Sequence, residues 1–77
     1  MEIKVLGTGC PNCLNLEKRV RKVVEDNSIN AKITRVQEIM DIMVYKIMSI
    51  PALVVDEVVV SKGRIPSEKE LLEFFTS

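Results

Sequence analysis

The order of its apolar patterns is the feature of this chain that most constrains its fold. Alternating or short apolar runs predict strands over Glu2–Leu6, Ala31–Val36, Ala52–Val55 and Val58–Ser61. Helical spacing predicts helices from Pro11 to about Asn27, from Glu38 to about Met48, and from Ser67 into the C-terminal segment. A helical crossover makes the first two strands parallel, and a two-residue turn makes the last two antiparallel. We therefore expect an α/β fold of order βαβαββα, with a four-stranded mixed sheet flanked by three helices.

Residues that start and stop helices support these limits. Pro11 suits the first position of a helix, where its missing N–H has no intrahelical partner. Pro51 ends the second helix, because the residue before a proline is pushed out of helical geometry. Ser67 and Glu70 have the spacing of a capping box at the start of the last helix. The second helix is expected to carry a wide apolar face, made of Ile39, Met40, Met43, Val44, Ile47 and Met48.

Composition indicates one small globular domain, which we expect to span residues 1–77. Of the 77 residues, 47% are hydrophobic, which is too many for a disordered chain. The 11 basic and 11 acidic residues cancel, which argues against nucleic acid or an anionic membrane as the main partner. No apolar run approaches the roughly 20 residues of a membrane helix, and no secretory signal pattern is visible. A cytoplasmic location is therefore expected, and we also expect a monomer.

The two cysteines, Cys10 and Cys13, lie in a Cys-Pro-Asn-Cys segment between the first strand and the first helix. In a cytoplasmic protein such a close pair is more often redox-active or metal-binding than structural. Cys10 falls at the helix N-cap, where free N–H groups and the helix dipole favour a thiolate. Cys13 begins the apolar face that continues at Leu16, so it should be shielded while Cys10 is exposed. The pair predicts thiol–disulfide exchange in which Cys10 attacks a substrate disulfide and Cys13 releases the product.

Other uses of the cysteine pair are less well supported. A structural disulfide over so short a loop would constrain the unfolded chain little. Cys-x-x-Cys is half of a zinc site, but with no further Cys and no His the other ligands would have to come from a second chain. Copper chaperones also place two cysteines after a first strand, yet they usually carry Met where this chain has Thr8, and they end on a strand. We expect no bound metal or cofactor beyond the redox-active disulfide, and keep a Cu(I) carrier or a non-catalytic binding module as the alternative.

Three motifs together resemble a known family. They are Cys-Pro-Asn-Cys after the first strand, Ile50-Pro51-Ala52-Leu53 at the third strand, and Gly63-Arg64-Ile65-Pro66-Ser67 before the last helix. In this order and spacing they are similar to the small thioredoxin-like and glutaredoxin-like redox-active disulfide proteins of prokaryotes. The resemblance covers essentially the whole chain and implies a thioredoxin fold that serves as a thiol–disulfide oxidoreductase for protein disulfides.

The resemblance also implies roles for individual residues. Cys10 would be the nucleophile and Cys13 the resolving residue, within an active-site loop that also contains Gly9, Pro11 and Asn12. Pro51 would follow a cis peptide bond and face the site, and the backbone of Ile50 would pair with an extended substrate segment. The implied partners are disulfide-containing substrate proteins and a thioredoxin-reductase-like or other electron donor.

Overall fold

Seven elements follow one another in the predicted order. The computed structural model describes residues 1–76, so Ser77, the last residue of the expected domain, lies outside the described residues. The strands are β1 (Glu2–Leu6), β2 (Lys32–Val36), β3 (Ala52–Val55) and β4 (Val58–Lys62). The helices are α1 (Pro11–Asp26), α2 (Ile39–Met43) and α3 (Glu68–Thr76). Apart from α2, these limits lie within a residue of the predicted ones.

The four strands form one mixed sheet in the order β2-β1-β3-β4, which confirms the expected architecture. β1 runs parallel to β2 and antiparallel to β3, and β3 runs antiparallel to β4. Leu6 at the end of β1 pairs with Ala52 at the start of β3. The loop after β1 and the segment before β3 therefore lie at the same end of the sheet.

Apolar side chains cover both faces of the sheet. One face packs against α1 and α3, in a cluster made of Ile3, Val5, Leu16, Val20, Val23, Val24, Leu53, Val55, Leu71 and Phe75. The other face packs against α2 and the segment after it, in a smaller cluster made of Leu6, Ile42, Ile47, Ala52 and Val54. None of the helices in the part of the chain that the structure describes has the length and apolar character needed to cross a bilayer.

The second helix is much shorter than predicted. It was expected to run from Glu38 to about Met48, but it ends at Met43, and Lys46 has a left-handed φ of 57° that breaks the helical path. Most of the expected apolar face is exposed, because only Ile42 and Ile47 of this segment are buried. The exposed large apolar residues of this segment are Ile39, Met40, Met43, Val44 and Met48. A five-residue helix has little area to bury. The residues after Met43 lead the chain back to the start of β3.

A cluster of polar side chains holds this returning segment against the sheet. The Lys4 ammonium donates to the Tyr45 hydroxyl at 2.8 Å and to a Glu57 carboxylate oxygen at 2.6 Å. Glu57 and Asp56 form the turn between β3 and β4, and both have left-handed φ values. The bond from Glu57, with a smaller contribution from Tyr45, raises the pKa of Lys4 above its ordinary value. The ammonium therefore stays charged and ties the segment after α2 to the β3–β4 turn.

A β-bulge interrupts the pairing of β3 with β4. Val59 pairs with Val54 in the outer part of the hairpin. The next pair joins Ser61 to Leu53, so Val60 is the extra residue on β4. Side chains alternate between the two faces of a sheet along a strand. The extra residue therefore moves each later side chain of β4 to the face opposite the one that regular alternation would give it. Ser61 is turned toward the larger core, where its Oγ is buried without a hydrogen-bond partner among the described residues.

Candidate active site

Cys10 and Cys13 form a disulfide in the loop that joins β1 to α1. Cys10 is the N-cap of α1, with extended backbone angles, and its sulfur accepts a hydrogen bond from the Cys13 N–H at 3.2 Å. Pro11 occupies the start of the helix, as its missing N–H predicts. The sulfur of Cys10 thus lies at the positive end of the 16-residue helix α1.

The two cysteines differ in exposure. Cys13 is buried, with 5% of its surface exposed, whereas Cys10 is partly exposed. Pro11 and Asn12 between them are exposed, and Gly9 before them is exposed with a φ of 93°. The shielding of Cys13 follows from its position on the face of α1 that turns toward the sheet. One sulfur of the pair can therefore be approached from solvent while the other is covered by the protein.

Gly7 is a site residue that sequence reasoning missed. It follows directly on β1, and its N–H continues the strand ladder by donating to the Val36 carbonyl at 2.9 Å. A Cβ at this position would overlap the sulfur of Cys13 and lie 2.9 Å from the Cβ of Cys13. Glycine is required here because the backbone of β1 and the buried cysteine come into direct contact. The one sequence signal was a glycine at the exit of a strand, shortly before the cysteine pair.

Ile50 and Pro51 lie at the same end of the sheet as the cysteine loop. The peptide bond between them is cis, Pro51 is buried and Ile50 is 40% exposed. The Pro51 carbonyl accepts a hydrogen bond from the Gly63 N–H at 2.9 Å, which anchors the segment to the loop after β4. Within residues 1–76 the backbone of Ile50 makes no hydrogen bond to another backbone group. Its N–H and C=O groups are therefore available to an incoming chain.

A buried carboxylate lies one helical turn beyond Cys13. Glu17 has 9% of its side chain exposed; one oxygen accepts from Arg21, and the other lies 2.6 Å from the Arg35 guanidinium on β2. Burial of the carboxyl opposes its ionisation, but the two guanidinium groups outweigh this and hold the pKa of Glu17 below its ordinary value. Both oxygens are occupied, so Glu17 links α1 to β2 and is poorly placed to accept a proton from Cys13.

A metal site built from three or more side chains has no support among the described residues. Among the residues that the structure describes, no group of three or more His, Cys, Asp or Glu side chains is arranged to hold a metal ion. The groups described above at this end of the sheet include two cysteines, a helix N-terminus and the backbone of Ile50. Such an arrangement can form and break disulfide bonds.

Comparison with known proteins gives a consistent result. A family model described as a thioredoxin domain matches residues 1–76. A thioredoxin of Methanocaldococcus jannaschii is 37% identical over 71 residues, which cover 92% of this chain and 81% of that protein. A thioredoxin of Methanothermobacter thermautotrophicus is 35% identical over 71 residues, which cover 92% of each chain. The similarity therefore extends over nearly all of the described fold.

Proposed function

The chain belongs to the thioredoxin domain family, and on that premise we propose that it reduces disulfide bonds in other proteins through Cys10 and Cys13. Family membership and the close cysteine pair support thiol–disulfide oxidoreduction in general. The finer proposal depends on one observation, the unequal exposure of the two cysteines. A substrate disulfide reacts first with the partly exposed Cys10, and the buried Cys13 reacts only in the second step.

In the first step the Cys10 thiolate of the reduced protein attacks one sulfur of the substrate disulfide. A new S–S bond joins Cys10 to the substrate, and the other substrate sulfur leaves as a thiolate that takes up a proton. The N–H of Cys13 donates to the Cys10 sulfur, and the dipole of α1 adds to its effect. These groups favour the thiolate, which is the reactive form.

In the second step Cys13 loses its proton and attacks the sulfur of Cys10. The mixed disulfide breaks, the remaining substrate sulfur leaves as a thiol, and the Cys10–Cys13 disulfide forms. Two electrons and two protons pass in total from the protein to the substrate. In the disulfide form that this step produces, the Cα atoms of the two cysteines are 5.0 Å apart.

The backbone of Ile50 is the proposed docking point for the substrate chain. Among residues 1–76 its N–H and C=O have no backbone partner, and it lies beside Pro51 at the end of the sheet that carries the cysteine loop. An extended substrate segment that pairs there would bring its disulfide toward Cys10 from the solvent side. Gly9, Pro11 and Asn12 would form the rim of the contact, since all three are exposed.

The oxidised protein must be reduced again before the next cycle. We assign this step to a dithiol donor of the thioredoxin-reductase type, which would transfer two electrons and two protons by the same exchange in reverse. The redox group is then the cysteine pair itself, and the proposal needs no bound cofactor. We further propose that the protein acts as a monomer in the cytoplasm. The cytoplasm is a reducing compartment, which keeps cysteine pairs of this kind as thiols.

Variants of the two cysteines test the mechanism. Cys10→Ser should abolish reduction of a peptide disulfide, measured by release of substrate thiol. Cys13→Ser should still attack but stop at the mixed disulfide, which mass spectrometry detects as an adduct on Cys10. A double variant with both serines provides the control for release that does not involve the pair. Turnover by Cys10→Ser, or an adduct on Cys13 in place of Cys10, would contradict the assigned roles.

A redox titration distinguishes this function from its alternative. The pair would be equilibrated with defined thiol–disulfide buffers, and free thiols trapped at each potential. A midpoint near about −270 mV would indicate a thioredoxin-like reductant, and one between about −230 and −200 mV a glutaredoxin-like role. If no reversible disulfide forms and the reduced protein binds Cu(I) tightly, the protein is a metal carrier. If neither occurs but a partner still binds, it is a non-catalytic binding module.

A further inference from the structure

An open groove beside β4 has no part in the steps above. It lies between the segment Tyr45–Ile47 and the second half of β4 and has a volume of about 390 Å³. The residues that line it include the apolar Ile47, Val59 and Val60 and the cations Lys46, Lys62 and Arg64. No Asp or Glu is among the described residues that line it. We call it the basic groove.

The positive charge of the basic groove is available to a ligand. Arg64 is already paired with Glu70, at 2.6 Å. Lys46 and Lys62 are exposed, and neither forms an ion pair with any of residues 1–76. The chain as a whole has no net charge, so two unpaired ammonium groups beside an apolar surface are a local excess. Charge complementarity therefore favours an anionic occupant.

The bulge in β4 is what places Lys62 at the groove. Lys62 pairs with Ala52, whose side chain belongs to the face of the sheet that α2 covers. If β4 alternated regularly through Val60 with no bulge, Lys62 would turn to the opposite face, toward α1 and α3. The same register shift buries the hydroxyl of Ser61 without a partner among the described residues. The bulge that places Lys62 on the groove side therefore also buries the Ser61 hydroxyl, which is unfavourable.

The basic groove lies next to the docking point proposed for the substrate. Gly63 lies between Lys62 and Arg64, and its N–H donates to the Pro51 carbonyl. A Cβ on Gly63 would lie 3.0 Å from the Cβ of Ser49, so this loop packs directly on the segment before Pro51. A chain that pairs with the backbone of Ile50 would therefore pass the mouth of the groove.

We infer that the basic groove binds acidic side chains of the substrate protein, on the segment next to its disulfide. Lys46 and Lys62 bind the carboxylates, and the apolar wall formed by Ile47 and Val59 contacts the intervening aliphatic groups. The inference deepens the proposed function and rests on it, because it defines which disulfides the pair reduces fastest. A protein segment is the occupant, since a chain leaving Ile50 reaches the groove without a break.

Matched peptide disulfides test this recognition. Three peptides of equal length would differ only in two residues beside the cysteine, which are Glu, Gln or Lys. The rate of thiol release would be measured at low ionic strength for the wild type and for Lys46→Gln/Lys62→Gln. The matched control is Lys32→Gln/Lys69→Gln, which changes the net charge equally at two exposed residues away from the groove.

The wild type should reduce the Glu peptide faster than the Gln peptide and the Lys peptide slowest. Each groove lysine lost should cost the Glu peptide about 2- to 5-fold in rate, as for exposed ion pairs, and leave the Gln peptide unchanged. The Lys32→Gln/Lys69→Gln control should keep the preference, and added salt should weaken it. Equal rates for the three peptides, or an equal loss of preference in the control, would overturn the inference.

Two further measurements separate this inference from the proposed function. A cysteine-free Glu peptide titrated into the oxidised protein should shift the backbone amide resonances of Val59–Lys62, and Lys46→Gln/Lys62→Gln should remove these shifts. Shifts that map elsewhere would refute the groove as the site even if all peptides are reduced. Oxidised glutathione tests a small anionic disulfide. If reduction depends on Lys46 and Lys62 for oxidised glutathione but not for the peptide disulfides, the occupant of the groove is not a protein segment. If no disulfide is reduced at all, the proposed function fails first.

Discussion

Adding one methyl group at Gly7 should damage the protein through its contact with Cys13. The new Cβ would overlap the sulfur of Cys13 and lie 2.9 Å from its Cβ, and both residues are buried between β1 and α1. Overpacking of this kind typically costs about 1–3 kcal/mol. A domain of 77 residues has a free energy of unfolding of about 4–12 kcal/mol, so Gly7→Ala should remove a substantial part of it.

Urea unfolding followed by far-UV circular dichroism measures this loss. With a slope of about 1 kcal/mol per M for so small a protein, the midpoint of Gly7→Ala should fall by about 1–3 M. In reducing buffer, Cys13→Ala removes the sulfur that the new methyl overlaps, so the penalty of Gly7→Ala should shrink by at least about 0.5 kcal/mol in that background. Thr8→Ala, one residue on and exposed, is the control for a change in the loop alone.

Two results would refute this reasoning about Gly7. One is a free energy of unfolding within about 0.5 kcal/mol of the parent, as expected of an ordinary surface substitution. The other is a penalty that is the same with and without the Cys13 sulfur. The first would mean that β1 and α1 separate easily enough to admit a methyl group. The second would mean that the penalty does not come from the contact with the Cys13 sulfur.

Three further changes test other contacts. The Arg64 guanidinium lowers the pKa of Glu70 from 4.5 to about 2. The stabilisation that ionised Glu70 contributes to the fold is therefore complete above pH 4.5 and is lost as the pH falls toward 2. In Glu70→Gln the free energy of unfolding should therefore fall less steeply with pH over this range. An unchanged curve would argue against the pair. Glu17→Gln should lower the free energy of unfolding by about 1 kcal/mol at pH 7, after allowance for its half-exposed arginine partners. A loss too small to measure by urea unfolding would show that the carboxylate is not needed there. Gly63→Ala combines a φ of +73° with a close contact to Ser49, and should cost about 1–3 kcal/mol in urea unfolding and slow disulfide reduction. Parent-like behaviour in both assays would contradict that contact.

Local rules predicted most of the fold because they act within a few residues. The capping box at Ser67 forms as expected, with the Glu70 N–H donating to the Ser67 hydroxyl at 3.2 Å and the Ser67 N–H donating to the Glu70 carboxylate at 3.3 Å. Asp56 and Glu57 form the predicted turn, although both take left-handed φ values that asparagine and glycine adopt more readily. Such signals depend on neighbouring residues alone, so they can be recognised in a sequence.

The second helix shows where local rules are insufficient. Its apolar spacing is helical from Ile39 to Met48, yet the chain leaves the helix after Met43. The face of the sheet that α2 covers accepts only Ile42 and Ile47, and the rest of the segment must reach Pro51. The available area is a property of the assembled sheet, and periodicity along the chain does not report it.

By itself the sequence determined the order of the elements, the mixed sheet, and the position of Cys10 at the start of a helix with Cys13 on its inner face. Each of these follows from periodicity, capping or spacing. Only the tertiary structure decided that Gly7 must lack a side chain, that Ile50 keeps its backbone groups free, and that a bulge turns Lys62 into a groove with Lys46. These features depend on contacts between residues far apart in the chain, where sheet register and packing determine which atoms meet.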